Sequence, residues 1–314
     1  MGALLEMVSK MRCCSLKNFF IFGYTSLYAA ALLLLSACGG GSGGNDSEPL
    51  SQNACEVIGS SSRIISGTAC QDSGPIVKLT ITGNEFSGTC SGTLVAPNAV
   101  LTAAHCVLEN DYQSLVPAGG IIVSRGDVAQ AIAQGSSVQA PFLLEDLIAI
   151  SARLDPSLDP QSDEFLEAFQ DEIFNTGLRD LAVVQLDRSL SLPTMPIVVS
   201  ESPDEGEVLS IFGFGITDPN ALAPSPLLIS GQMRVDRVGR DNIFSVFDTQ
   251  GSDTCRGDSG GPAVITLPSG ESAVIGVTSL GFSNCQPGEV SVFAQTPGRS
   301  VQFLMSAAPG ARFL

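Results

Sequence analysis

From Ile64 onward the chain runs in short apolar or alternating stretches separated by Gly, Pro, Asn and Asp. Residues 76–82, 93–95, 121–123, 181–186, 208–214, 231–238 and 273–279 are examples. Stretches of this length with turn residues between them suit strands that bury one face and reverse direction often. The expectation is an all-β sandwich or barrel, and periodicity does not choose between the two. One segment departs from the pattern. Residues 143–178 are acidic, and after Asp159-Pro160 the side chains Phe165, Leu166, Phe169, Ile173 and Phe174 fall on one helical stripe. Proline just inside the start and acids in the first turn are helix-opening chemistry. This predicts an amphipathic helix inserted among the strands and packed against them, with a substrate or partner contact as the alternative.

The 314 residues allow one sizeable domain plus targeting segments, or two modest domains. With 15 Lys+Arg against 32 Asp+Glu the formal charge is −17, which disfavours a phosphate-binding surface, so no nucleic-acid partner is expected. The acidity serves solubility; steering of basic substrates is the alternative. A single histidine precludes a His-rich metal site, and the nine cysteines show no paired C-x-x-C spacing. Neither a metal nor another cofactor is expected.

The amino terminus reads as an export signal. Lys10, Arg12 and Lys17 precede an apolar run over 19–37, which ends in Leu35-Ser36-Ala37-Cys38. That tetrapeptide resembles the lipobox of bacterial lipoproteins, which implies lipidation of Cys38 and removal of residues 1–37. The run is also long enough to span a bilayer as an uncleaved anchor, the alternative reading. A Gly/Ser tether over 39–44 and a polar stretch to Arg63 then form a linker or prosegment. The protein is therefore expected in the cell envelope, held to a membrane by lipid, or secreted.

Candidate chemistry lies in Cys255-Arg256-Gly257-Asp258-Ser259-Gly260-Gly261-Pro262. A serine hydroxyl needs a positioned base to become a nucleophile, and the oxyanion it creates needs fixed N–H donors. Glycines beside the serine permit the tight turn that aims such donors. A serine between glycines is also a common turn. His105, in Leu101-Thr102-Ala103-Ala104-His105-Cys106, is the only imidazole available as base. Asp180, just ahead of an apolar strand-like run, suits a buried carboxylate that holds the imidazole.

Together, Thr102-Ala103-Ala104-His105-Cys106, Asp180-Leu181-Ala182 and Gly257-Asp258-Ser259-Gly260-Gly261-Pro262 resemble, in order, the three signatures of trypsin-like serine proteases. The resemblance covers about residues 64–304. It implies two six-stranded antiparallel β-barrels, over about 64–195 and 196–314, with the helical insert in the first and a short C-terminal helix. A catalytic triad of His105, Asp180 and Ser259 would lie in the cleft between them. It implies an oxyanion hole from the N–H groups of Gly257 and Ser259. It places Asp253 at the base of a specificity pocket favouring Arg or Lys, with Ser279 and Gly281 lining it and Gly288 keeping its mouth open; an ordinary turn residue in Gly251-Ser252-Asp253 is the alternative for Asp253. Arg63-Ile64-Ile65-Ser66-Gly67 resembles the family's activation site, where cleavage would free the Ile64 amino group to pair with Asp258. A start that is never cleaved is the alternative. Phe214 stands where the family usually has tryptophan, and Ser66 where it prefers glycine.

Cysteine pairing cannot be ranked from the sequence alone. The resemblance implies Cys90–Cys106 and Cys255–Cys285, while Cys70 lacks the family's usual partner. Cys55 and Cys70, which remain and straddle the Arg63–Ile64 bond, are expected to pair and so keep the leader attached after cleavage. The function implied is a secreted serine endopeptidase acting on proteins or peptides, as a monomer. The rival from another class is a catalytically weak homologue serving as a surface binding or adhesion module. An α/β-hydrolase esterase would need the order Ser, Asp, His and many more helices.

Overall fold

The computed structural model of the chain describes residues 55–58, 62–63, 68–70, 72–126, 130–217, 224–246, 254–281 and 289–314. The export signal, Cys38 and the tether lie outside them, as do Ile64, Asp253, Cys285 and Gly288. Among the described residues no helix is long and apolar enough to cross a membrane.

A 3-10 turn, Cys55–Ile58, precedes β1 (Ser62–Arg63) and β2 (Thr68–Cys70), which pair antiparallel with Ser62 opposite Cys70. Cys55 is fully buried and is disulfide-bonded to Cys70, with Cα atoms 5.4 Å apart.

The first barrel follows. It comprises β3 (Ile76–Thr82), β4 (Ser87–Ala96), β5 (Ala99–Thr102), β6 (Ile121–Ser124), β7 (Ala133–Gln139) and β8 (Ala182–Leu186). The strands close in the order β3-β4-β5-β8-β7-β6, so no strand edge is left open. Leu79 and Ile81 are buried while Thr80 and Thr82 are exposed, the period of two that fixes which face of β3 enters the core. A one-turn helix α1 (Ala104–Val107) follows β5.

Two helices stand between β7 and β8: α2 (Leu143–Ser151) and α3 (Asp163–Thr176). The sequence anticipated one. The helix predicted from Pro160 begins at Asp163 instead, because Ser162 is its cap. The Ser162 hydroxyl accepts the Phe165 N–H at 3.1 Å, while Ser162 N–H closes a turn onto Asp159 C=O at 2.9 Å. Phe165, Phe169 and Ile173 are buried, so the stripe faces the core as expected. The separate helix α2 gives only a short apolar signal, which explains why it merged with its neighbour in the sequence.

The second half contains β9 (Val208–Gly213), β10 (Ile229–Arg234), β11 (Arg237–Val238), β12 (Asn242–Val246), β13 (Pro262–Thr266), β14 (Ser272–Gly281) and β15 (Val290–Gln295). It ends in helix α4 (Val301–Ala307). Its sheet has nine strands in the order β1-β2-β10-β9-β13-β14-β15-β12-β11. The six longer strands, β10 through β12 in that order, match in number the six expected of a second barrel, but their sheet has two ends where the first barrel closes. The additions are short edge strands: the leader pair beside β10, and β11 beside β12. The run 231–238, anticipated as one strand, is split because the chain changes neighbours at Val235–Asp236: β10 pairs with β9, and β11 pairs with β12.

Candidate active site

His105 and Asp180 are 75 residues apart in sequence but meet through strand register. β5 and β8 pair antiparallel with Thr102 opposite Ala182. His105 lies three residues beyond one partner and Asp180 two residues before the other, so both emerge at the same end of the barrel. The Asp180 carboxylate is buried and fully engaged. Its Oδ1 accepts the His105 N–H at 2.8 Å; its Oδ2 accepts from His105 Nδ1 at 2.6 Å and from the Ser279 hydroxyl at 2.7 Å. A carboxylate can only accept here, which assigns the ring proton to Nδ1 and leaves Nε2 as the acceptor. Burial pushes the Asp180 carboxyl up. The electrostatic attraction of the His105 ring and the hydrogen bonds from His105 and Ser279 outweigh it and hold the group below its ordinary value.

Ser259 belongs to the loop between β12 and β13, and that loop is tied down from several directions. Gly260 N–H donates to Thr278 C=O, and Thr278 N–H to Gly261 C=O, both at 2.8 Å. The first barrel also reaches across. Ser91 of β4 donates its N–H to Ser259 C=O at 2.8 Å and its hydroxyl to Gly257 C=O at 2.9 Å, while that hydroxyl accepts the Phe214 N–H at 3.0 Å. Gly260 has φ +82°, and a Cβ there would run into Thr102 Oγ1 and Ser91 O. Only glycine fits where the first barrel meets the second half.

The Cys90–Cys106 disulfide is formed, and Cys106 Sγ lies 3.8 Å from His105 Nε2 and 3.7 Å from Ser259 O. A disulfide sulfur carries no hydrogen, so these are packing contacts that hold the ring and the serine backbone against one atom. The cluster Cys90, His105 and Cys106 resembles a metal-ligand set by distance. With both sulfurs in the disulfide, neither offers the thiolate a metal would need.

The main chain around Ser259 is oriented too. Ile216 N–H donates to Arg256 C=O at 2.9 Å, and because a trans peptide points its N–H opposite to its C=O, the Gly257 N–H turns away from that contact. Among the described residues the N–H groups of Gly257 and Ser259 have no acceptor. The Asp258 carboxylate accepts the Gly215 N–H at 2.7 Å and the Cys255 N–H at 2.8 Å. It sits against Gly213 and Gly215, where any Cβ would collide with it.

Of the other residues singled out from the sequence, Ser279 is brought to Asp180 rather than left as pocket lining alone. Gly281 ends β14, and among the described residues a Cβ there would meet nothing within 4 Å. Arg63 lies in β1, and Cys255 is disulfide-bonded. Ser91 was not among them. Ser91 follows Cys90 in a segment that reads only as strand, and a serine there carries no mark of its role.

The Trypsin family matches the chain over residues 64–142 and 159–300. Tonin of Rattus norvegicus is 27% identical over 250 residues, covering 74% of this chain and 85% of that protein. Trypsin-1 of Astacus astacus is 25% identical over 66% of this chain and 82% of its own length. Trypsin of Saccharopolyspora erythraea is 26% identical over 70% of this chain and 86% of its own. The break in the family match at 143–158 falls on the stretch containing α2. With most of its length matched and a closed barrel joined to a second antiparallel sheet, the chain belongs to the trypsin-like serine protease family.

Proposed function

We propose that the protein is a serine endopeptidase that hydrolyses peptide bonds through an acyl-enzyme. The observation that carries this reading is the buried Asp180 carboxylate fixing His105 by two hydrogen bonds at the face where the Ser259 loop is stitched. In this reading Ser259 Oγ attacks the substrate carbonyl while His105 Nε2 takes its proton. Asp180 stabilises the imidazolium, and the N–H groups of Gly257 and Ser259 receive the oxyanion. The proton then passes to the leaving amine as the peptide bond breaks. Water repeats the sequence to release the acyl group. Losing one oxyanion donor typically costs roughly 10²–10³ in rate.

Substrate preference for Arg or Lys rests on Asp253, six residues before Ser259. A buried carboxylate facing a neutral side chain would be left unpaired, which selects a cation. Activation is by cleavage at Arg63–Ile64, with the new amino group pairing with Asp258. The Cys55–Cys70 disulfide spans that bond and supports a leader that stays attached after the cut, and with it the lipid at Cys38.

The test is labelling with an organophosphonate after cleavage at Arg63, followed by a peptide library. The expected result is covalent modification of Ser259 and cleavage after Arg or Lys. No modification would favour the binding-module reading, and preference for other residues would remove Asp253 from the pocket. Mass spectrometry without reductant should find the leader still bound; a free leader removes the tether.

A further inference from the structure

Three consecutive residues at the end of the insert are each held by a different part of the molecule. Leu178 is gripped from the second sheet: its N–H donates to Asn242 Oδ1 at 2.8 Å and its C=O accepts from Asn242 Nδ2 at 3.0 Å. Arg179 is gripped from α2. Asp146 Oδ2 accepts the Arg179 main-chain N–H at 2.8 Å and Nε at 3.0 Å, while Oδ1 accepts Nη2 at 2.7 Å. Asp180 is held by His105 and Ser279. Asp146 and Arg179 are both buried, with the guanidinium 4.0 Å over the Phe142 ring and that ring edge-on to Phe303 of α4 at 5.4 Å.

Leu181 N–H donates to Arg179 C=O at 2.9 Å, which closes a three-residue turn centred on Asp180. Both main-chain groups of Arg179 are therefore committed, one to the turn and one to Asp146. Between Gly177 and Ala182 there is no strand ladder to hold this turn, so its direction depends on those contacts. The insert is itself braced on the second half of the molecule. Arg240 N–H donates to Phe174 C=O at 3.0 Å, Arg299 Nη2 to Thr176 C=O at 2.9 Å, and Arg237 lies over the Phe174 ring at 5.0 Å.

We propose that the two-helix insert is the positioning element for Asp180, acting through Asp146. The carboxylate of Asp146 fixes the main chain and side chain of Arg179, and so aims the next residue at His105. Asp146 and α2 lie within 143–158, the stretch the family match omits, while α3 and Arg179 lie in the matched part, so it is the Asp146 end of the contact that stands outside the shared frame. A fork of two side-chain donors plus the main-chain N–H on one carboxylate fixes direction as well as distance, which a single point charge would not. The effect on rate rests on the peptidase reading; the effect on Asp180 geometry does not.

The experiment compares the activated wild type with Asp146→Asn and Arg179→Lys, each normalised to serine sites titrated by organophosphonate. Asp146→Asn is expected to lower kcat roughly 10- to 100-fold, the scale of a small misplacement of a reacting group, with KM nearly unchanged. Arg179→Lys keeps the charge and the main-chain bond but loses the fork, so it gives a smaller loss in the same direction; it carries the test if Asp146→Asn folds poorly. Asp146→Glu should recover part of the activity. A kcat per titrated site equal to wild type in both Asp146→Asn and Arg179→Lys overturns the proposal, as does a change confined to KM. Proton NMR gives a readout that needs no catalysis, because His105 is the only imidazole. Its Nδ1 proton toward Asp180 should be sharp and downfield in the wild type and broadened in both variants. An unchanged resonance overturns the proposal even in a protein that cleaves nothing, whereas a wild type that resists labelling yet shows the shift counts against the peptidase reading alone.

Discussion

The two halves of the molecule hold their candidate residues by different means. In the first barrel His105 and Asp180 stand just beyond the ends of paired strands. The register of β5 on β8 brings them to the same end of the barrel, and the contacts of the turn before β8 aim the one at the other. In the second half Ser259 sits on a loop, held by bonds with Thr278 of β14 and with Ser91 of the first barrel. Register tolerates additions between strands, because burial of alternate side chains re-establishes the pairing whatever precedes it. That is why two helices can stand between β7 and β8 without separating the pair. A loop packed this closely tolerates very little: at Gly260 one added carbon strikes both Thr102 and Ser91.

The largest test of that division takes one residue from each half. Ser259→Ala and His105→Ala should each reduce kcat by about 10⁶, and the double variant should be no worse than either, as for groups that act as one unit. Asp180→Asn should cost about 10⁴, because the amide no longer enforces the Nδ1 tautomer. Kinetics on activated protein check all four variants. Losses that multiplied in the double variant would mean the halves work independently, and the comparison would fail.

A smaller effect is expected where the halves are joined. Ser91→Ala removes the hydroxyl that accepts from Phe214 and donates to Gly257, leaving the buried Phe214 N–H and the half-buried Gly257 C=O without that partner. The cost is about 1–3 kcal/mol in thermal or denaturant unfolding. Because Gly257 carries a proposed oxyanion donor, kcat should also fall, by roughly tenfold, an estimate scaled below the loss of a whole donor. A variant with full stability and full kcat would show that the Ser91 main-chain bond to Ser259 is sufficient by itself.

Much of this division could be read from the sequence, for reasons that differ by region. The strand runs are set by local alternation, so the segment 76–82 anticipated β3 to the residue. His105, Asp180 and Ser259 stood out because their neighbours form ordered signatures. The Cys55–Cys70 pair was expected because both cysteines lacked other partners, and the structure joins them. Ser91, Asn242 and Asp146 left no such trace. Each acts through contacts with residues far away in the chain, and a serine, an asparagine or one acid among 32 looks like any other until the fold supplies its neighbours. The split of the insert into α2 and α3 was hidden for a related reason: the start of α3 depends on the Ser162 cap, which outweighed the proline signal at 160.

The first barrel also uses a buried acid to hold a loop, and acid pH should expose that dependence. Glu109, just after α1, accepts the N–H groups of Asn84 at 2.7 Å, Glu85 at 3.0 Å and Phe86 at 3.1 Å, and so fixes the turn between β3 and β4. Burial and the charge of Asp111 push its carboxyl up, but the three main-chain donors outweigh both and keep it below its ordinary value. A carboxylate depressed in the folded state contributes its full stabilisation above the unfolded value, about 4.3. That contribution disappears as pH falls through the folded value. Glu109→Gln should therefore unfold at a lower temperature than wild type at neutral pH, by an amount reflecting about 1–3 kcal/mol. The gap between the two melting curves should then narrow on acidification, since the wild type loses what the variant never had. A gap that persists unchanged into acid would mean that the turn is held by the shape of the Glu109 side chain and not by its charge. The first barrel would then rely on packing here, as the closely fitted loop at Gly260 does.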